Sequence, residues 1–268
     1  MSDLAMASAT AIATDIAPWR VRADLLGPGR SRRLFSSDLV EIGRALYGDP
    51  DLLSLYRVPA AEMDARWLKL VGRTAAECTV DRLCVEAAAA VARLVADARG
   101  PRRVVDLFAG SCNIAFHLAQ APNVVCHASE LDPMVYRAVR HNLSLLEAPV
   151  HLHNADYRDL LGMLPAWGPN DVYVVDPPWR YGPSGRDLSR TAPALADVIE
   201  NIRLSRAGIP FILLTTTDDA ASRDVLRSAL GAAAHVRTIS APATMPIGHN
   251  VQLHVYTCDA AASARLAG

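Results

Sequence analysis

The sequence predicts an α/β fold, in which a seven-stranded, mostly parallel sheet with an antiparallel last strand follows a small helical module. Of the 268 residues, 51% are hydrophobic and 21% are charged, which is typical of a globular chain with a sizeable core. After Pro101, short runs rich in Val, Ile and Leu alternate with Ala- and Leu-rich stretches of helical periodicity. This alternation indicates strand-helix units around a parallel sheet, because each parallel crossover needs a helix.

The chain is predicted to have two parts that meet near Arg99, where a Gly-Pro pair ends a helical pattern. Residues 1–100 would form the helical N-terminal module. Its Ala/Ser/Thr-rich start, residues 1–15, is expected to be disordered. The stretch between the two helices described next, including residues 60–70, is expected to be helical. Residues 101–268 would form the sheet domain.

Apolar periodicity predicts two further helices in the module. The first covers residues 38–46, with Asp38 and Glu41 as a capping-box pair and Gly48 just past its end. The second covers residues 79–98, where apolar residues recur with a period near 3.6.

In the sheet domain, seven apolar runs are predicted as strands. The last two are joined by a loop that is too short for a crossover helix, so they should be antiparallel neighbours. The predicted strands are 103–109, 124–130, 150–156, 171–176, 209–216, 234–241 and 250–258.

Composition excludes several classes of protein. The 27 basic residues balance 28 acidic ones, and the halves before and after residue 100 carry net charges of 0 and −1, so neither is an obvious nucleic-acid clamp. No apolar run approaches the roughly 18 residues that a membrane span needs. A cytoplasmic protein with no membrane partner is expected.

The sequence predicts no metal site. None of the five cysteines has a partner at the spacing of a zinc or redox motif, so they are expected to be free and mostly buried thiols. His151 and His153 share one face of a predicted strand, but no third ligand accompanies them.

Polar residues follow four of the predicted strands. The first strand runs into Asp-Leu-Phe-Ala-Gly-Ser-Cys-Asn at residues 106–113, a small-residue turn that opens a helix. The second ends at Glu130, the third at Asp156, and the fourth at Asp176 in an Asp-Pro-Pro-Trp tetrapeptide. Parallel strands end at one edge of a sheet, so these groups are predicted to line one ligand site.

With this ordered set of motifs, residues 101–258 resemble the class I S-adenosylmethionine-dependent methyltransferases, whose sheet is Rossmann-like. The Asp-Pro-Pro-Trp tetrapeptide resembles the motif of enzymes that methylate amino or amide nitrogens. The turn is similar to that of ribosomal RNA guanine methyltransferases, and the Pro-Pro-Trp sequence to that of trimethylguanosine synthases.

The resemblance implies S-adenosylmethionine as the cofactor. It places Gly110 near the methionine moiety, Glu130 on the ribose hydroxyls and Asp156 on the adenine amine. One departure is Cys112, where the family usually has a second glycine. The implied cofactor-binding residues are Asp106, Phe108, Gly110, Asn113, Glu130, Leu131, Asp156 and Tyr157.

The implied catalytic residues are Asp176, Pro177, Trp179 and Tyr181. A conjugated amine is a poor nucleophile, so its two N–H groups need two fixed acceptors, which the Asp176 carboxylate and the Pro177 carbonyl would supply. Trp179 would offer a flat face to the acceptor. Tyr181 begins a stretch that is expected to be a flexible rim.

The sequence favours a methyltransferase that acts on the amino nitrogen of a small molecule, with the N-terminal module as part of the substrate wall. Alternatives are a nucleic-acid amine, cyclisation of the cofactor through its own amine as in azetidine-carboxylate synthases, or an inactive binding subunit. Five arginines in residues 20–33 would contact phosphates only under the nucleic-acid alternative. No pattern in the sequence indicates an oligomeric state.

Overall fold

The computed structural model describes residues 18–95, 102–165, 171–178, 180–182, 185–205, 211–217, 220–231, 234–240 and 251–257. The stretch expected to be disordered, residues 1–15, lies outside these residues. The helices are α1 (Pro18–Leu26), α2 (Ser36–Tyr47), α3 (Gly72–Glu77), α4 (Asp81–Val95), α5 (Asn113–Leu118), α6 (Pro133–Leu145), α7 (Tyr157–Met163), α8 (Leu195–Ser205) and α9 (Ala220–Leu230).

Thirteen strands are described. Those of the N-terminal module are β1 (Arg33–Leu34), β2 (Ser54–Leu55), β3 (Val58–Pro59) and β4 (Leu70–Val71). Those that follow are β5 (Arg102–Asp106), β6 (Val124–Ser129), β7 (Val150–His153), β8 (Val172–Val175), β9 (Arg180–Gly182), β10 (Gly185–Asp187), β11 (Phe211–Thr217), β12 (Ala234–Ser240) and β13 (Val251–Thr257).

Seven strands form the main sheet, in the order β12-β13-β11-β8-β5-β6-β7. The strand β13 is antiparallel to both of its neighbours, β11 and β12, and the other pairings are parallel. The predicted fold class and the antiparallel last strand are therefore confirmed. Strands β5, β6 and β7 end one to three residues before the predicted ends.

The sheet has a hydrophobic core on each face, as the alternation of side chains along a strand requires. Val104 packs in a core shared with the N-terminal module and helices α4 to α6. Its neighbour Val105 packs in a second core, shared with helices α7 to α9. The N-terminal module is therefore packed directly on one face of the sheet.

The prediction that residues 60–70 are helical is wrong. A single 3₁₀ turn covers Ala60–Glu62, and the segment then continues through turns into β4. Trp67 is left-handed, with a φ of 59°, and no right-handed helix passes through such a residue. The module thus combines helices with two small sheets, β1-β4 and β2-β3.

The helix predicted at residues 38–46 is present as α2, but it begins two residues earlier, at Ser36. Asp38 lies in its first turn and accepts a hydrogen bond from the backbone N–H of Phe35 at 2.9 Å, whereas Glu41 pairs with Arg44. Gly48, left-handed with a φ of 76°, ends the helix as predicted. The second predicted helix is α4.

A buried ion pair stabilises the edge of the sheet opposite the polar strand ends. Asp171, just before β8, accepts a hydrogen bond from Nε of Arg103 at 3.2 Å, and both side chains are almost fully buried. The same guanidinium donates to the Pro165 carbonyl at 2.7 Å. These bonds satisfy charges that would otherwise be buried without partners.

We expect Asp171→Ala to lower the free energy of unfolding by roughly 3 to 5 kcal/mol, because it leaves the Arg103 charge buried without its partner. Urea denaturation measures this change. The control is Asp224→Ala, which breaks an exposed pair with Arg227 and should cost less than about 0.5 kcal/mol. Equal effects of the two substitutions would contradict the prediction.

Candidate functional site

A cavity of about 460 Å³ opens where β5, β6 and β8 end. Ten of the residues predicted for the site line it: Asp106, Phe108, Gly110, Asn113, Glu130, Leu131, Asp156, Tyr157, Asp176 and Pro177. Trp179 lies outside the described residues. Tyr181 lies in β9, which pairs with β10 as a short antiparallel hairpin within the stretch expected to be flexible.

The turn that follows β5 contains two left-handed residues, Gly110 and Cys112, with φ of 51° and 61°. The side chain of Cys112 is fully buried and packs in the core beneath the turn. The turn thus accommodates a small side chain where the family usually has glycine. Burial raises the pKa of this thiol well above its usual value, which argues against a nucleophilic role.

Glu130, just after β6, connects this turn to the next polar segment. Its Oε2 accepts a hydrogen bond from the Gly110 N–H at 3.1 Å, and its Oε1 accepts one from the Asp132 N–H at 2.7 Å. Burial raises the pKa of Glu130, although both backbone donors favour its charged form. The carboxyl group is therefore fixed in orientation at the wall of the cavity.

Asp106, the last residue of β5, is a buried carboxyl group at the wall of the cavity. Burial, and after it the negative charges of Asp176 and Glu130, raise its pKa to about 7, opposed by a hydrogen bond from the Phe108 N–H at 3.3 Å. Three carboxyl groups therefore interact at one place. Such a site favours a ligand that carries positive charge.

Asp156, which also lines the cavity, is the N-cap of α7. Its Oδ1 accepts a hydrogen bond from the Arg158 N–H at 2.9 Å, and its carboxylate forms a two-bond ion pair with the Arg158 side chain. The rings of Phe108 and Tyr157 lie 5.1 Å apart. The cavity thus has an aromatic wall beside a carboxylate, which suits a flat, hydrogen-bonding group.

The N-terminal module supplies a wall of the cavity that the sequence did not identify by residue. Arg30 and Arg73 both face Asp132, with N–O distances of 3.3 and 4.0 Å. Arg73 also donates to Glu77 at 3.1 Å. The only sequence signal was the arginine cluster that includes Arg30. The module residues that line the cavity are Arg30, Arg73, Thr74, Glu77, Cys78 and Thr79.

Asn113 lines the cavity, but its side chain is bound to the N-terminal module. Its Nδ2 donates to the Thr79 carbonyl at 2.8 Å and to Oδ1 of Asp81 at 3.0 Å. The polar end of this side chain is therefore occupied, and Asn113 acts mainly in support of the turn.

The two histidines of β7, His151 and His153, contact a third histidine on the neighbouring strand. His151 and His153 both stack on His127 of β6, with ring centres 5.0 and 5.6 Å apart, and the His127 and His153 rings share a hydrogen bond. Within the part of the chain that the structure describes, no group of three or more His, Cys, Asp or Glu side chains is arranged to hold a metal ion.

The described cysteines, Cys78, Cys84, Cys112 and Cys126, are free and buried. None of the described helices is long and apolar enough to cross a membrane.

Comparisons with known proteins agree with this fold. A family model described as "Conserved hypothetical protein 95" matches residues 84–197, and no curated protein matches the sequence. A solved structure from Listeria monocytogenes, described as a class I S-adenosylmethionine-dependent methyltransferase, aligns with a TM-score of 0.50 and 13% identity. The alignment covers 67% of this chain and 60% of the Listeria protein, so this chain spans less than two thirds of that protein's length.

Two further solved structures are similar. The methyltransferase YhhF of Escherichia coli aligns over 67% of this chain and 86% of its own, with 17% identity and a TM-score of 0.45. TrmN of Thermus thermophilus aligns over 75% of this chain and 53% of its own, with 19% identity and a TM-score of 0.46.

The chain therefore has the fold of the class I S-adenosylmethionine-dependent methyltransferases, as the sequence predicted. S-adenosylmethionine, the cofactor of that class, combines a flat adenine, a ribose diol, a protonated amine and a sulfonium cation. The aromatic wall, the fixed Glu130 carboxyl group and the clustered negative charge around Asp106 fit these four features.

We expect Asp106→Asn to change the pH dependence of stability. The pKa of Asp106 is about 7 in the folded protein and about 3.9 in an unfolded chain, so between these values the folded state binds more protons. The stability that Asp106 contributes is thus fully present below about pH 4 and is lost as pH rises through about 7. The variant lacks this titrating carboxyl group, so its free energy of unfolding should increase relative to that of wild type as the pH rises from about 4 to about 7.

Urea denaturation of both proteins between pH 4 and pH 8 measures this difference, which should reach roughly 1.4 kcal/mol for each unit by which the pKa is raised. Asp224→Asn, at an exposed position, is the control and should track wild type. A difference that stays constant over this range would contradict the assigned pKa.

Proposed function

We propose that the protein is an S-adenosylmethionine-dependent methyltransferase that acts on an amino nitrogen. The observation that carries the proposal is that Asp176 and Pro177 line the same cavity as Asp106, Gly110 and Glu130. The residues assigned to the acceptor thus adjoin the residues assigned to the cofactor. A transfer reaction needs this adjacency, because donor and acceptor must meet with water excluded.

The chain's own residues would hold the cofactor as follows. The Glu130 carboxylate accepts hydrogen bonds from the ribose hydroxyls, Asp156 accepts one from the adenine amine, and Phe108 and Tyr157 pack on the ring. Gly110 allows the turn to approach the methionine moiety, because it has no side chain and adopts a positive φ. Ionised Asp106 is favoured beside the positive charges. When bound, the cofactor supplies an electrophilic methyl group.

Asp176 and Pro177 would orient the acceptor. The carboxylate and the backbone carbonyl each accept one N–H, which directs the nitrogen lone pair at the methyl group and stabilises the positive charge that develops. Pro178 restricts the backbone that presents both acceptors. Trp179 remains the predicted stacking surface for the acceptor.

The matched substitutions Glu130→Gln and Asp176→Asn test these roles. Glu130→Gln should weaken S-adenosylmethionine binding at least about tenfold, because charge-assisted hydrogen bonds to the ribose are weakened. Asp176→Asn should leave cofactor affinity nearly unchanged and lower turnover roughly 100-fold or more. Calorimetry measures the affinity, and mass spectrometry of the product measures the turnover.

Three results would contradict this proposal. No binding of S-adenosylmethionine by the wild type at millimolar concentration would leave only an inert binding subunit. Formation of methylthioadenosine, rather than S-adenosylhomocysteine, would indicate cyclisation of the cofactor. Equal losses of affinity in both variants would place Asp176 on the cofactor.

The surface of the N-terminal module supports a nucleobase amine as the acceptor, rather than the small molecule that overall charge favours. Phe35 and Trp67 are 49% and 74% exposed. Reciprocal hydrogen bonds between Ser36 and Asp64, of 2.7 and 2.9 Å, connect their segments. The Arg33 guanidinium lies 5.1 Å from the centre of the Phe35 ring. Exposed aromatic rings beside arginines are typical of surfaces that bind single-stranded nucleic acid.

This aromatic-arginine surface, formed by Arg33, Phe35 and Trp67, is connected to the cavity through neighbouring elements of the N-terminal module. Strand β1 carries Arg33 and pairs with β4, which leads directly into α3 and its cavity-lining Arg73. A flexible single strand bound on this surface could place one base in the cavity beside Asp176. A balanced net charge does not exclude such binding, because base stacking supplies part of the affinity.

We expect the protein to bind single-stranded RNA, with an affinity that falls with salt at a slope of roughly −0.7 for each phosphate contact. Fluorescence anisotropy across moderate salt measures this, with duplex DNA for comparison. Trp67→Ala should weaken binding about fivefold or more, since one stacking contact contributes roughly 1 to 3 kcal/mol.

The matched control is Leu204→Ala on α8, which removes another exposed apolar side chain, 77% exposed, from the helices on the other face of the sheet. This variant should bind like wild type. No binding by the wild type at micromolar concentration would restore the small-molecule amine as the leading acceptor.

A further inference from the structure

The turn that carries Gly110 is held from outside the sheet domain by one tyrosine. The hydroxyl of Tyr56 donates a hydrogen bond to the Ser111 carbonyl, and its backbone N–H donates to Oδ1 of Asn113 at 2.8 Å. Tyr56 therefore contacts the residues on both sides of Cys112. Tyr56, Ser111 and Asn113 are each more than nine-tenths buried.

The conformation of Tyr56 is itself fixed by its surroundings. Tyr56 and Arg57 form a left-handed two-residue turn between β2 and β3, with φ of 58° and 63°. The Arg57 N–H donates to Oδ2 of Asp81 at 2.8 Å, and Oδ1 of the same carboxyl group accepts from Asn113 at 3.0 Å. The Tyr56 ring packs edge-on against Phe116 of α5, with ring centres 5.4 Å apart.

The opposite side of the turn faces the cavity. There the Gly110 N–H is bound to Glu130, and Gly110 directly precedes the residue whose carbonyl Tyr56 holds. Only the peptide between residues 110 and 111 separates the two contacts, so the turn is bound from both sides within two residues. Burial raises the pKa of Tyr56 well above its usual value, so its hydroxyl keeps its proton and remains a donor.

We propose that Tyr56 is a positioning residue, through which the N-terminal module sets the geometry of the cofactor-binding turn and thereby the affinity for S-adenosylmethionine. The inference rests on the proposed function, because it assigns the turn to the cofactor. It implies that the N-terminal module influences cofactor affinity in addition to lining the cavity. A ligand that shifts the β2-β3 hairpin would change the affinity for the cofactor, and the cofactor would change the affinity for that ligand by the same factor.

The test is Tyr56→Phe, which keeps the ring, its contact with Phe116 and the backbone N–H, and removes only the hydroxyl. The control is Tyr173→Phe, which removes the hydroxyl of another fully buried tyrosine, one that is bound to Asp171 at the opposite edge of the sheet. Both variants lose one buried hydrogen bond, so both should lose some thermal stability. Only Tyr56→Phe should raise the dissociation constant of S-adenosylmethionine, by about tenfold, in calorimetric titrations.

Unchanged affinity in a folded Tyr56→Phe protein, or equal losses in both variants, would overturn the inference. If wild type itself does not bind the cofactor, the proposed function fails instead, so the two failures are distinguishable. Amide hydrogen exchange of wild type provides a second test that needs no variant. Adding S-adenosylmethionine should slow exchange at Tyr56 and Arg57 together with residues 110–113, and slowing confined to residues 110–113 would contradict the coupling.

Discussion

Two left-handed residues in one short turn, Gly110 and Cys112, set the main constraint on this structure. Left-handed backbone is unfavourable for a cysteine, so the turn persists only where its surroundings determine it. Glu130 binds it from the cavity side and Tyr56 from the module side. The cavity, the sheet edge and the N-terminal module therefore depend on one another, although they come from distant parts of the chain.

The same region must also accommodate negative charge. Asp106, Glu130 and Asp176 lie near one another, and burial, followed by the negative charges of Asp176 and Glu130, raises the pKa of Asp106. At the rim of the cavity, Arg30 and Arg73 face Asp132. The positive charge of Arg73 also lowers the pKa of Glu130, so it opposes the effect of burial on that carboxyl group.

Much of the sheet domain was predictable from sequence, because strands leave a local signature. Apolar runs identified all seven strands, and the polar residues after them identified Glu130 and Asp176, since parallel strands end at one edge. The N-terminal module was less predictable. Its left-handed residues, Tyr56, Arg57 and Trp67, are not glycines, so no residue type marked the turns they form, and only Trp67 lies in the expected helix between 60 and 70.

The contacts of Tyr56 and Arg73 with the site could not be foreseen for a different reason. They join residues 55 or more positions apart, and such pairs produce no periodicity in a single sequence. The same is true of Asn113, whose position beside the turn suggested a ligand contact but whose amide binds Asp81. Local patterns place a residue near a site, whereas only packing determines which way its side chain faces.

The place of β13 in the sheet has a consequence for how the chain folds during synthesis. This strand lies between β11 and β12, and among the described strands β12 pairs only with β13. Until residues 251–257 leave the ribosome, β11 has an open edge and β12 has nothing to join. A nascent chain would therefore expose unpaired backbone groups next to its core for some time, which is the kind of edge that chaperones protect from aggregation.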